Sequence, residues 1–196
     1  SLKIIHPRTR DNKSLNVLKC SQSGVIILED VLTNNDYYVQ AEKRGSTTTN
    51  GVKINPQHLA DDRRRFETHK KFLQDKEVLD FGCGIGGFLQ LTDRVSKLSV
   101  GMELNQEHVQ IINGMNIKCV SSFEDLLGKQ KFDTITLNHV LEHLTDPFEI
   151  LSSLKNLLKD DGTIIIEVPH ARDILLETFN LEDFKDFTFW SEHLIL

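Results

Sequence analysis

At 196 residues with 39% hydrophobic side chains, the chain is long enough to bury one α/β core and too short for two large domains. A formal charge of −6 works against a broad nucleic-acid footprint, which needs excess Lys and Arg, and no apolar run approaches the ~20 residues of a membrane span. The opening SLKIIHPRTR carries no secretion signal, and Cys20, Cys83 and Cys119 at unrelated spacings suit reduced thiols, so a soluble, cytoplasmic protein is expected.

Along the chain, NVLKCSQSGVIIL (residues 16–28) reads as two short β-prone runs around Ser-Gln-Ser-Gly, a hairpin. Tyr37 and Tyr38 follow, as core packing or as a cover for a ligand, and then a polar stretch with GSTTTNG reads as a linker. The expected division is an N-terminal extension over 1–55 and the principal domain over 56–196.

From Gln57 onward helix and strand patterns alternate. The first helix, Pro56–Leu73, contains DDRRRFETHKKFL, whose interleaved charge is expected to face solvent. Strands are expected at Glu77–Phe81, Leu98–Met102, Ile117–Val120, Thr134–Leu137 and Thr163–Val168. Between them Phe88, Leu91 and Val95, then Val109, Ile112 and Met115, recur at helical spacing. Before the fifth strand, Asp146 suits a cap and Pro147 a first helical position, Phe148, Leu151, Leu154, Leu157 and Leu158 form an apolar face, and Gly162 turns the chain. The fold class is therefore α/β, a Rossmann-like mostly parallel sheet flanked by helices that ends after its fifth strand, with a small N-terminal β-hairpin extension. The edge beside that last strand is expected to be unpaired, a place where an oligomer contact can form.

Gly82-Cys83-Gly84-Ile85-Gly86-Gly87 follows the first strand, where glycines let the backbone turn sharply and approach a ligand. Alone the pattern fits many nucleotides. Glu103 ends the second strand 21 residues after Gly82, where a carboxylate can accept both hydroxyl protons of a ribose. Asp80, just before the loop, opposes a pyrophosphate and favours a cationic ligand. Taken singly, Asp80 reads as a cap, Glu103 as a solvated strand end and Phe123 as core.

In VLDFGCGIGG, GMELNQ, VSSFEDL and FDTITLNHVLEHLTDP the sequence resembles the class I S-adenosylmethionine-dependent methyltransferases, in particular their small-molecule branch. The resemblance runs over about residues 57–170 and implies S-adenosylmethionine as cofactor. It implies that Asp80, Gly82, Cys83 and Gly84 hold the methionine end, that Glu103 with Leu104 holds the ribose side, that Ser122 and Phe123 flank the adenine, and that Asn138 lies near the sulfonium. These folds usually carry two further strands beyond the fifth.

Candidate bases fall in two places. His139 follows Asn138, with Glu142 and His143 just beyond, and a structural part is expected for His143. Trp190-Ser191-Glu192-His193 resembles the acid-base segment of nucleotide-sugar C-methyltransferases, which implies a sugar or sugar-nucleotide acceptor and a catalytic part for His193 and Glu192. A lid contact is the other reading of that segment. The hairpin resembles a zinc knuckle whose second ligand is Ser23, and without a cysteine pair no metal site is expected. A small-molecule acceptor, and neither nucleic acid nor a membrane, is the expected partner. A nicotinamide-dependent oxidoreductase and a non-catalytic S-adenosylmethionine-binding module are the alternatives.

Overall fold

The structure is a computed structural model that describes residues 1–30, 56–128 and 130–196. Tyr37, Tyr38 and the expected linker with its boundary near residue 55 lie outside the described residues. These fall into two compact units, one of residues 56–128, 130–138 and 148–166 and one of residues 1–30, 139–147 and 167–196. Among the described residues no helix is long and apolar enough to cross a membrane.

The larger unit is built on a five-stranded sheet. Three antiparallel strands precede it in the chain, β1 (Leu2–His6), β2 (Val17–Cys20) and β3 (Ile26–Leu28). The sheet itself uses β4 (Glu77–Phe81), β5 (Leu98–Met102), β6 (Lys118–Val120), β7 (Phe132–Asn138) and β8 (Leu158–Glu167), in the spatial order β6-β5-β4-β7-β8. The registered pairs β4–β5, β4–β7 and β5–β6 are all parallel. α1 (Pro56–Leu73) leads into β4, and α2 (Gly87–Asp93), α3 (Gln106–Gly114) and α4 (Pro147–Asn156) connect β4 to β5, β5 to β6 and β7 to β8. The central strands are buried almost throughout, with Val78, Leu79, Val100, Ile135 and Leu137 all fully buried. Phe66 and Leu73 of α1 pack with Val78 and Phe88, while Val109 and Ile112 of α3 pack with Leu89, Ile117 and Cys119.

The strand order turns back at β4: the chain runs outward through β5 and β6, then returns to β7 on β4's other side. Connections leave the carboxyl ends of β4 and β7 in opposite directions there, which opens a crevice at the strand ends.

Three details depart from expectation. β7 begins at Phe132, before the expected Thr134, and β8 begins at Leu158, so Gly162 lies inside a strand. A Cβ on Gly162 would stand 2.9 Å from the Lys159 carbonyl oxygen, so the close backbone approach that favours glycine persists within it. Leu154 on α4 and Leu157 just beyond it are buried, but Phe148 is 80% exposed. Phe148 sits on the first turn, its side chain leans toward the helix start, and it reaches past the packed turns.

The smaller unit begins with the expected hairpin, β2 paired antiparallel with β3, and adds β1 on the other side of β2. A 3-10 helix (Leu141–His143), α5 (Ile174–Glu177) and α6 (Glu182–Thr188) complete it. The chain's last residues close on β3 through Ile26 N to Leu196 O (2.9 Å) and Leu196 N to Ile26 O (2.8 Å). Leu15, Val17, Ile26, Leu28, Leu176, Phe189 and Leu194 form its core.

Candidate functional site

The glycine loop is pinned to the end of β5. Gly82 N and Cys83 N both donate to the Met102 carbonyl, at 2.8 and 3.1 Å, and Gly86 N closes a turn on Cys83 O at 2.9 Å. Gly82, Gly84 and Gly86 have φ of 73°, 55° and 80°, a left-handed run that side chains resist. A Cβ on Gly84 would meet nothing within 4 Å, so the loop faces open space at this point. Cys83 contributes backbone only, because its thiol turns inward, 3.8 Å from the Cys119 sulfur, where that neighbour and then burial push its pKa up.

Glu103 follows β5 and spans two backbone donors: Gly84 N donates to Oε2 at 2.8 Å and Asn105 N to Oε1 at 3.0 Å. Asn105 in turn caps α3, accepting from Glu107 N and His108 N. The carboxylate is thereby fixed beside the loop. An ionised carboxylate offers about four acceptor sites, so these two bonds leave room for the hydroxyl pair of a ribose. Leu104 beside it is exposed. After β6, Ser122 and Phe123 are half-buried, and the Ser122 hydroxyl donates to Asp125 at 2.9 Å.

Asp80 is 3% exposed at the end of β4. Burial pushes its pKa up to about 7, helped by the Asp62 charge and opposed by the Thr136 hydroxyl, the Asn138 amide and Arg65. Thr136 donates at 2.7 Å and Asn138 at 3.4 Å, both to Oδ1. A buried carboxylate that ionises reluctantly is satisfied by a cation. Asp80, the open face at Gly84 and the spare acceptor capacity of Glu103 thus fit S-adenosylmethionine, with its positive charges and its ribose.

Thr136 was not singled out from the sequence, and its β7 position opposite Asp80 is the signal that finds it. The basic run also corrects expectation. Arg63 and Arg64 are exposed as foreseen, but Asp62 and Arg65 pair at 3.2 Å with side chains 16% and 11% exposed. A Cβ on Gly87 would run into the Asp62 carboxylate, so α1 lays this pair against the start of α2.

The smaller unit gathers the remaining candidates. His139, at φ 56°, starts a turn that sets its Nδ1 2.9 Å from Glu142 Oε1, and its Nε2 lies 3.4 Å from Glu167 Oε1. The 3-10 helix places Glu142 and His143 side by side, and Leu194 N donates to the Glu142 carbonyl at 2.7 Å. His143 Nδ1 donates to the Glu192 carbonyl and His193 Nδ1 to the Thr188 carbonyl, both at 2.8 Å. Burial lowers the pKa of both imidazoles. Their rings stand edge to face at 4.9 Å, with Trp190 beside them and the Arg10 guanidinium 4.3 Å from the Trp190 ring centre. Glu192 is buried. The structure therefore brings His193 together with Glu142 and His143, a grouping that the Glu192-His193 reading did not foresee.

Residues 53–194 match the family described as a methyltransferase domain. The ubiquinone biosynthesis O-methyltransferase of Actinobacillus pleuropneumoniae serotype 5b is 34% identical over 102 residues, 45% of this chain and 44% of that protein. The tRNA U34 carboxymethyltransferase of Aeromonas salmonicida is 29% identical over 136 residues, 64% of this chain and 42% of that protein. In each case the match spans less than half of the relative's length. Among solved structures, the plantazolicin methyltransferase BpumL, in complex with a monoazolic desmethylPZN analog and SAH, shares the fold. Its TM-score is 0.56 at 17% identity, over 81% of this chain and 65% of that one.

Proposed function

This chain belongs to the methyltransferase-domain family, whose methyl donor is S-adenosylmethionine, and from that premise we infer that it transfers a methyl group to a small-molecule acceptor through a hydroxyl oxygen. The carrying observation is the joint placement of Asp80 and Glu103 at the crevice where the strand order reverses. When bound, the cofactor supplies an electrophilic methyl group on a sulfonium. In this reading Asp80 balances the cofactor's positive charge and Asn138 steadies Asp80. Gly82, the Cys83 backbone and Gly84 admit the methionine end, and Glu103 takes the ribose hydroxyls. Leu104, Ser122 and Phe123 border the adenine.

An in-line displacement at carbon needs its nucleophile aligned and, for a hydroxyl, relieved of its proton. His139 is the proposed acceptor of that proton: it follows Asn138 directly in the chain, its Nδ1–H donates to Glu142 Oε1 at 2.9 Å, and the lone pair on Nε2 takes the proton, with Glu167 Oε1 3.4 Å away to stabilise the imidazolium that forms. Glu192 and His193, expected to act as an acid-base pair, are read here as positioning residues, since their contacts tie the last segment to His143 and to Thr188.

Hydroxyl acceptors are favoured by the O-methyltransferase relative, whereas the sugar-like acceptor rests on the Trp190–His193 resemblance alone. Calorimetric titration with S-adenosylhomocysteine and with NAD, followed by transfer of labelled methyl to phenols, sugar nucleotides and RNA, tests the reading. Binding of S-adenosylhomocysteine with label on a phenolic hydroxyl is the expected result. Tight NAD binding with no response to S-adenosylhomocysteine overturns it, as does label found on RNA alone.

A further inference from the structure

Three side chains with metal-ligand chemistry converge in the smaller unit: one ligand atom each from Glu142, His143 and His193 lies within 4.8 Å of the others. We propose that these three hold one divalent transition-metal ion of the zinc type.

The orientation of the imidazoles comes first. Each ring nitrogen Nδ1 is bonded to a backbone carbonyl, of Glu192 for His143 and of Thr188 for His193. A carbonyl only accepts, so Nδ1 carries the proton and the lone pair of each neutral ring sits on Nε2. This is the arrangement that fixes tautomer and ring direction in metal-ligating histidines, whose second nitrogen donates to a carbonyl or carboxylate.

Charge is the second argument. Glu142 is 1% exposed, and while its Oε1 meets His139, its Oε2 has no hydrogen-bond partner among the described residues. A carboxylate oxygen buried without a partner is costly. With two neutral imidazole nitrogens alongside, a cation is the occupant that supplies the missing charge.

The donor set selects the ion. Two imidazoles and one carboxylate suit Zn2+, Fe2+ or Co2+, whereas Mg2+ and Ca2+ take oxygen ligands. Ligand atoms around a tetrahedral ion with bonds of about 2.0–2.1 Å are about 3.4 Å apart, so side chains now within 4.8 Å need only close inward. The backbone is already fixed for this, because Leu194 N on the Glu142 carbonyl locks the segment carrying His193 against the turn carrying Glu142 and His143. Three protein donors leave a further position for water or an oxygen ligand. This assignment rests on no part of the methyltransferase reading.

The test uses the untagged full chain stripped with EDTA. Calorimetry is expected to show saturable uptake of one equivalent of Zn2+, Co2+ to give visible d–d bands of a low-coordinate site, and Mg2+ to give no heat. His193→Asn keeps an N–H able to reach the Thr188 carbonyl and removes the Nε2 lone pair, and it should weaken Zn2+ binding by more than about tenfold. Glu142→Gln should do the same while preserving shape. Circular dichroism and S-adenosylhomocysteine titration on the same samples report folding and the loop separately. Absence of saturable Zn2+ uptake by the wild type overturns the proposal, as does unchanged affinity in either folded variant.

Discussion

In the proposed reading of the site, the buried Asp80 carboxylate makes cofactor binding depend on pH. With its pKa pushed up to about 7, the empty site holds a largely neutral Asp80 in mild acid, whereas a cationic ligand needs it ionised. Affinity for S-adenosylmethionine should therefore rise from pH 6 toward pH 7.5, by up to about tenfold per unit below the pKa, with a proton released on binding. Calorimetry in buffers of different ionisation enthalpy reads that proton, and Asp80→Asn should bind more weakly with a flat profile. The sign for stability is opposite. A folded pKa above the unfolded one means that the native state holds a proton the unfolded chain has lost, so stability without cofactor falls as pH rises from about 4 through about 7. Asp80→Asn should thus melt higher than wild type at pH 8 while binding less cofactor. The acid before the glycines was legible in the sequence because its place in the motif is local. Its supports were not, since Thr136 and Asn138 reach it only after β7 pairs with β4.

At the level of elements, β4 and β5 are readable to the residue because both are short runs in which every residue after the first is buried. β1 gave no such signal: Leu2, Ile4 and Ile5 are all exposed, so LKIIH lacks the alternation of a half-buried strand. The expectation of no metal, against which the proposed zinc-type site stands, rested on sequence signals alone. It came from counting cysteines, while the imidazole cluster is assembled by a single 3-10 turn and a contact to the segment after α6. Gly101 in β5 ties strand packing to the loop. A Cβ there would stand 2.7 Å from the Cys83 sulfur, 2.8 Å from Leu89 Cδ2 and 3.1 Å from the Cys119 sulfur. Gly101→Ala should therefore force Cys83 and the loop outward, at a cost of about 1–3 kcal/mol from overpacking. A lower melting temperature together with weaker S-adenosylhomocysteine binding is the expected outcome. A loss of stability alone, with cofactor affinity intact, would separate the strand from the loop.

Over the whole molecule, the family was legible because its motifs follow one another in chain order, each at the end of a strand. The smaller unit was not, because it joins three stretches far apart in sequence through pairings such as Ile26 with Leu196. Charge supports the proposed small-molecule acceptor against the nucleic-acid class that one relative represents. One relative is named for a tRNA, yet this chain carries 29 acidic against 23 basic side chains, and two arginines of its one basic run are tied to Asp61 and Asp62. Nucleic-acid affinity grows with the number of phosphates that Lys and Arg neutralise and falls steeply with salt, so an acidic surface has little to offer an RNA. S-adenosylhomocysteine, by contrast, is recognised in the proposed reading by Glu103 and the loop, whatever the net charge. At a hundredfold excess over its dissociation constant, a ligand that binds only the folded state stabilises by about 2.7 kcal/mol, a rise of roughly 5–10 °C for a chain of this size. Thermal melts at physiological salt should show that rise with S-adenosylhomocysteine and none with structured RNA. An RNA-dependent rise that survives added salt would overturn the proposed small-molecule acceptor and leave the proposed cofactor site untouched.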